Sequence, residues 1–287
     1  MNAPLRRGPK YSLGRRSLTI PLMLPLTLPR RADERPLVIA HRGDSIHHPE
    51  NTLASFAAAA EAGADLVELD VRLTADGAAV VLHDQDLART TDLAGPVHTR
   101  TLEEVKRGDA SGGRGPRQEV PTLAEVLALL SPTGTGVDIE VKNLPGEDAF
   151  EAARDAALEA ALEAVADAAF PNPVLVTSFN PVTVRRSRQL APLVPTGLLT
   201  FASGDLDAAL RLAAEAGHAI VLPHAAPLAE TGGELVAAAH ALGVAIGVWT
   251  VDDEAAMRTF FSHGVDALAT NDPVMGVAVR DRGRPPL

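Results

Sequence analysis

From residue 37 onward the chain repeats one rhythm, a short apolar run followed by a longer amphipathic stretch rich in alanine. Short aliphatic runs bounded by turn formers predict strands, and the longer stretches with helical spacing of apolar residues predict helices. The first strand is predicted at 37–40 and the first helix at 52–62, where alanines favour the helix and Gly63 stops it. A long strand at 66–73 runs into Thr74-Ala75-Asp76-Gly77, which reads as a tight turn, and a second strand follows at 78–83. No crossover fits so short a connection, so the two strands must pair antiparallel as a hairpin. Past an irregular insertion at about 85–135, which holds a helix at 122–130, strands are predicted at 136–143, 174–178, 197–200, 219–222, 244–250 and 267–270. Helices at about 147–168, then 181–190, 205–216, 233–242 and 253–263, separate them. With the return strand of the hairpin set aside, eight strands can run parallel. The expected fold class is therefore α/β, a (β/α)8 TIM barrel distorted beside the hairpin. An open doubly wound sheet shares the same alternation.

Polarity within two of these strands carries chemistry. Side chains on a strand alternate between faces, so Glu68, Asp70 and Arg72 share one face while Val67, Leu69 and Val71 share the other. Folding the hairpin about the Ala75-Asp76 bond sets Glu68 opposite His83, and directly opposed residues project from the same face. In GVDIEVKN at 136–143, Asp138, Glu140 and Lys142 alternate in the same way with Val137, Ile139 and Val141. A half-exposed strand with solvated charges would give this pattern too. Where helices cover the outer side of each strand, however, the polar face must look inward. His41 and His83 lie close to these acids in sequence, and imidazole titrates nearest neutrality, so the segment holds the parts for acid–base chemistry on a metal-held substrate.

Composition narrows the partners. At 287 residues and 46% hydrophobic content the chain suits one barrel domain, placed at 36–287. A net charge of -11 argues against nucleic acid or an anionic membrane as the main partner, so an anionic substrate needs local positive charge. With no cysteine, disulfides, thiolate zinc sites and a cysteine nucleophile are excluded. Residues 1–16 are basic, 17–29 are mainly apolar and Arg30-Arg31 closes the run, loosely imitating a signal peptide with a twin arginine at Arg15-Arg16. Pro21, Pro25 and Pro29 break the apolar run, no small-residue cleavage site follows, and the run is too short to span a bilayer. Residues 1–35 are therefore expected to be a poorly ordered extension or a start assigned too early, with Met23 as another candidate. That reading places the protein in the cytoplasm; a signal peptide would place it outside.

An ordered set of short motifs gives the sequence its resemblance. These are AHRG at 40–43, PENT at 49–52, ELDV at 68–71, the DG turn at 76–77, VLHD at 81–84, LARTTD at 87–92, EVK at 140–142, GVWTVD at 247–252 and ATNDP at 269–273. In this order and spacing the chain resembles glycerophosphodiester phosphodiesterases from residue 36 to residue 279. ATNDP departs from the pattern, since the family more often has an acid directly after the threonine, and no chemistry is assigned to Asn271. The resemblance implies hydrolysis of glycerophosphodiesters to glycerol 3-phosphate and an alcohol, with His41 and His83 as the acid–base pair. It also implies that the glycerol 2-hydroxyl attacks first, through a cyclic phosphate that water then opens.

At a barrel mouth, formed by the C-terminal strand ends, Glu68, Asp70 and Glu140 would converge and repel unless a cation neutralised them. Oxygen ligands without thiolate favour one hard divalent ion, Ca²⁺ or Mg²⁺. Arg42 and Lys142 would supply positive charge to the phosphate. Glu50 is expected to orient His41 or Arg42, whereas Asn51 and Thr52 are expected to cap the first helix. Phe179 and Trp249, at later strand ends, are candidate pocket walls. His47 and His48 are expected to be exposed, and Asp84, Arg89 and Thr90 to brace the loop after His83. A lysophospholipase D-type or other phosphodiesterase, or a noncatalytic phosphodiester-binding barrel, are the alternatives. The partner is a small molecule in either enzymatic case, and oligomeric state is not legible.

Overall fold

The computed structural model describes residues 10–13, 16–19, 23–30, 34–152, 154–228 and 232–282. Ahead of the main body, β1 (Lys10–Leu13) and β2 (Arg16–Thr19) form a two-stranded antiparallel ribbon. The barrel strands are β3 (Leu37–Ala40), β4 (Leu66–Leu73), β6 (Gly136–Val141), β7 (Val174–Ser178), β8 (Thr196–Thr200), β9 (Ile220–Pro223), β10 (Ala245–Val248) and β11 (Ala267–Thr270). Each pairs parallel with its neighbours, and β3 closes the ring by pairing with both β11 and β4. The expected barrel is thus present. β5 (Ala79–Val81) hangs on β4 as the antiparallel return of the hairpin.

Both faces of the strands are buried, for different reasons. On the outside, Val67, Leu69 and Val71 of β4 pack in one apolar layer with Phe56 and Ala59 of α1 (Leu53–Glu61), residues of α3 (Leu123–Leu130) and residues of α4 (Ala156–Asp167). Phe56 is fully buried there, and truncating such a ring to alanine costs about 3–5 kcal/mol. On the inside, Leu37, Ile39, Leu66, Leu175, Ile220, Ala245 and Ala267 fill the lower barrel. Gly197 faces this interior, where a Cβ would meet Ile220 and Leu222 at 2.8 Å. Apolar filling below leaves the upper interior, at the C-terminal strand ends, for Glu68, Asp70, Asp138 and Glu140.

Several expectations need correction. The hairpin pairs Val71 with Val81, one residue away from the register that sets Glu68 against His83. Gly77 takes φ +81°, and Thr74 closes a five-residue loop by donating its N–H to the Ala78 carbonyl at 3.1 Å, so the turn carries the extra bulged residue. α4 starts at Ala156, about nine residues later than expected, because the preceding segment is held in a loop. Arg72 grips Glu147 through both terminal nitrogens at 2.9 and 2.8 Å, and Asn143 and Glu151 exchange hydrogen bonds at 2.9 and 3.1 Å. Asp155 then caps the helix by accepting from Leu158 N–H.

The insertion contains α2 (Leu102–Lys106) and α3, and its Leu87, Val97, Val105 and Val120 form a small core with Val80 of β5 and with Leu82 just after that strand. α5 (Pro181–Leu190), α6 (Leu206–Ala216), α7 (Gly232–Ala241) and α8 (Glu254–Ser262) fall where expected, and α9 (Pro273–Arg282) closes the barrel without having been anticipated. Residues 23–30 are not a loose tail. Leu26 and Leu28 pack against the inner barrel core, and Arg30 N–H donates to the buried Asp266 carboxylate at 2.6 Å. The signal-like features at 1–9 and Arg15 lie outside the described residues. Among the described residues no helix is long and apolar enough to cross a membrane.

Candidate active site

The site begins where β3 ends. His41 N–H donates to the Thr270 carbonyl at 2.8 Å, extending the strand pairing by one residue. Arg42 then takes φ +56° and Gly43 φ +83°. A Cβ on Gly43 would sit 2.4 Å from Ser55 Oγ, so only glycine lets the loop pass against α1. This turn aims the Arg42 backbone N–H at Glu68 Oε2, 2.8 Å away, and its guanidinium Nε toward Asp70 Oδ2 at 3.4 Å. Glu50 accepts from Arg42 Nη1 at 3.0 Å and from both terminal nitrogens of Arg89 at 2.8 and 2.7 Å. It orients Arg42 rather than His41.

Glu68, Asp70 and Glu140 are all buried, and each offers an oxygen within 4.8 Å of the others. Lys142 Nζ lies 2.5 Å from Glu140 Oε1 and 2.9 Å from Asp70 Oδ1. Burial pushes the Glu68 carboxyl well above the usual carboxylate range, and Asp70 and Glu140 add to the effect. Burial raises Glu140 as well, against the pull of Lys142. Burial would also raise Asp70, but Lys142 and Arg42 outweigh it and hold that carboxyl low. Glu68 Oε1 is buried with no hydrogen-bond partner among the described residues. An orphaned carboxylate oxygen within a tight oxygen-only trio fits a hard divalent cation.

The two histidines flank this centre and line one cavity of about 220 Å³ together with Arg42, Glu68, Asp138, Glu140 and Lys142. Burial, with Arg42 beside it, lowers His41 to about 4. Its Nε2 stands 4.0 Å from Glu68 Oε2. His83 is lowered chiefly by burial, with Asp70 opposing. Its Nδ1 meets Asp84 Oδ1 at 2.6 Å, so Asp84 touches the imidazole itself as well as bracing the loop through Arg89. The other side of the cavity is apolar. Phe179 stacks on Phe201 at 4.2 Å and meets the edge of Trp249 at 5.4 Å, with Leu144, Leu199 and Leu222 completing the wall. A second cavity of about 250 Å³, lined by Arg72, Gln85, His98 and Glu151, shares Lys142 but contains neither His41 nor His83.

Four placements differ from the sequence reading or were absent from it. Asn51 does not cap α1; Thr52 does, and Asn51 takes φ +56° to donate Nδ2–H to Asp70 Oδ2 at 2.8 Å. Asn271, given no role from sequence, meets His41 Nδ1 at 2.8 Å. Asp138 is buried beside the trio, where burial raises it to about 8 while Thr177 donates to it at 2.8 Å. Phe201 was overlooked, although a phenylalanine directly after a barrel strand sits at the mouth by position alone. His47 is exposed, as expected, whereas His48 is half-buried, and both face Asp44.

A parallel barrel whose mouth gathers two imidazoles, two fixed cations and a carboxylate trio is the framework of a barrel enzyme for an anionic substrate. Residues 41–275 match the model of the glycerophosphoryl diester phosphodiesterase family. The chain belongs to that family. It is 37% identical over 252 residues to a glycerophosphodiester phosphodiesterase of Caldanaerobacter subterraneus, covering 83% of this chain and 94% of the relative. A phosphodiesterase of Oleispira antarctica, solved with the product sn-glycerol-3-phosphate, superposes with a TM-score of 0.76 at 30% identity, over 86% of this chain and 97% of that one. A glycerophosphodiester phosphodiesterase of Thermotoga maritima superposes with a TM-score of 0.70 at 26% identity, over 86% and 99%.

Proposed function

We propose that this chain hydrolyses glycerophosphodiesters to glycerol 3-phosphate and an alcohol by paired-histidine acid–base catalysis at a divalent cation, Ca²⁺ or Mg²⁺. The observation that carries the reading is the meeting of His41 and His83 in one cavity with Glu68 and Glu140, two members of the buried carboxylate trio that Asp70 completes. Glu68, Asp70 and Glu140 would hold the cation, whose contribution there is to offset the charge growing on the phosphate oxygens. Arg42 and Lys142 bring two further positive charges to the same place.

The proton work falls to the histidines. His41, kept neutral by burial and by Arg42, accepts the proton of the glycerol 2-hydroxyl as that oxygen bonds to phosphorus. His83, whose Nδ1 faces the Asp84 carboxylate, carries the proton that passes to the leaving alcohol as the old P–O bond breaks. Water then opens the cyclic phosphate with the two roles reversed. Turnover of a glycerophosphodiester, followed by release of glycerol 3-phosphate, should stop with EDTA and return with Ca²⁺ or Mg²⁺. Undiminished turnover after exhaustive chelation would remove the metal from the mechanism. A 2-deoxyglycerol analogue should bind without turning over; normal turnover of it would point to direct attack by water.

A second reading, a lysophospholipase D-type activity, rests on the apolar wall. Phe201 is 58% exposed and continues the Phe179 stack out to the surface, a path suited to an acyl chain. Comparing turnover of lysophospholipids with that of their deacylated counterparts separates the two.

A further inference from the structure

Asn271 and Asp252 stand outside the charged centre, yet they end on one of its histidines. Asp252 follows β10 and Asn271 follows β11, and the two loops are stitched by three hydrogen bonds to one carboxylate. Asp252 Oδ1 accepts from Thr270 Oγ1 at 3.0 Å and from the Asn271 backbone N–H at 2.7 Å. Asp252 Oδ2 accepts from Asn271 Nδ2 at 2.6 Å. A carboxylate can only accept, so the amide of Asn271 has no choice of orientation: its nitrogen faces Asp252 and its oxygen faces away. That oxygen meets His41 Nδ1 at 2.8 Å and also receives the Ser45 hydroxyl at 2.9 Å. An amide oxygen cannot donate either, so His41 Nδ1 must carry the hydrogen. The lone pair is left on Nε2, the nitrogen nearer to Glu68.

We propose that Asp252 is a positioning residue that sets the tautomer of His41 through the amide of Asn271. The inference rests on His41 as the proton-transfer group of the proposed reaction, but the tautomer itself is a property of the resting protein. Replacing the carboxylate by an amide gives a sharp consequence. In Asp252→Asn, the amide oxygen is claimed by Thr270 Oγ1 and the Asn271 N–H, which turns the new NH₂ toward Asn271. Two NH₂ groups cannot face each other, so the Asn271 amide must flip and present its own NH₂ to His41. His41 Nδ1 then becomes an acceptor, the hydrogen moves to Nε2, and no lone pair remains to receive the substrate's proton. Restoring the acceptor at the other position reverses the change. In the double variant Asp252→Asn/Asn271→Asp, one oxygen of the new carboxylate takes the NH₂ of residue 252 and the other again accepts from His41 Nδ1.

The test has two readouts on the full chain. Nitrogen NMR of the imidazoles, assigned with a His41→Gln control, reports which ring nitrogen carries hydrogen and needs no turnover. Wild type should show the Nδ1–H form, Asp252→Asn the Nε2–H form, and the double variant the Nδ1–H form again. Turnover should follow, with kcat falling about 10- to 100-fold in Asp252→Asn at nearly constant KM, as is usual when a partner one step behind a working group is lost. The double variant should recover most of that loss, a rescue that a merely structural carboxylate would not show. An unchanged tautomer in Asp252→Asn, kcat within twofold of wild type, or a double variant no better than the single would each overturn the proposal. If wild type shows the Nδ1–H form but hydrolyses no phosphodiester, the functional reading fails while the tautomer assignment survives.

Discussion

Lys142→Met removes the cation at the heart of the charged centre without removing its bulk. The Lys142 side chain is 4% exposed and bridges Glu140 and Asp70 at 2.5 and 2.9 Å, so its loss leaves two buried carboxylates short of a partner. Breaking a buried ion pair from one side costs about 3–5 kcal/mol, because the remaining charge is neither solvated nor paired. Here the cost should sit at the lower end. Asp70 keeps Arg42 Nε at 3.4 Å and the Asn51 amide at 2.8 Å. Glu140 loses the ammonium it faces, but burial has already raised it and it can take up a proton. At about 3 kcal/mol, and roughly 2–4 °C per kcal/mol for a domain of this size, the melting temperature should fall by roughly 6–12 °C. Circular dichroism melts in EDTA measure this directly. The same melts with millimolar Ca²⁺ or Mg²⁺ should show a smaller gap between variant and wild type, because a trio that has lost the Lys142 ammonium binds the cation more tightly and so gains more from it by mass action. A variant that melts with wild type in EDTA, or a gap that ignores the cation, would refute the reasoning.

Two further expectations concern the same centre. Glu140→Gln should weaken divalent binding by calorimetry while leaving the fold intact, since Ile139 and Val141 keep the strand packed; unchanged affinity would remove Glu140 from the ligand set. His41 falls from 6.5 free to about 4 folded, so the unfolded chain protonates first as the pH drops. Its contribution is complete above pH 6.5 and is lost between 6.5 and about 4. That loss amounts to roughly 3 kcal/mol. Urea unfolding at pH 7 and pH 4.5 in chelator should show most of this loss in wild type and not in His41→Gln; equal pH dependence of the two would contradict it.

The strands and the acids were legible because a period of two fixes faces without knowledge of distant contacts. Glu68, Asp70 and Glu140 converge because each lies on the inward face of its strand, and that face follows from Val67, Leu69, Val137 and Ile139 looking outward. Helix starts were legible where a capping side chain precedes an apolar run, as at Thr52, Asp205 and Asp253. What sequence spacing hid was decided by backbone geometry or by distant partners. Gly77 shifted the hairpin register through its bulge, yet His83 still reached the site because the loop after β5 is tied back by Arg72 Nε to the His83 carbonyl at 2.8 Å. Asn51 looked like a cap because it lies next to one, and only its left-handed backbone turns it toward Asp70. Asn271 meets His41 across 230 positions, which no local pattern encodes.

The central claim is that His41 and His83 work as one acid–base unit, and kcat for a glycerophosphodiester in the alanine variants tests it most directly. Each single replacement should lower kcat by about two to four orders of magnitude, with divalent binding and the fold retained. The double variant should be little worse than the more damaging single one, since groups that act together lose most of their effect with the first deletion. Near-normal kcat in His83→Ala, or losses that simply multiply, would contradict the paired mechanism.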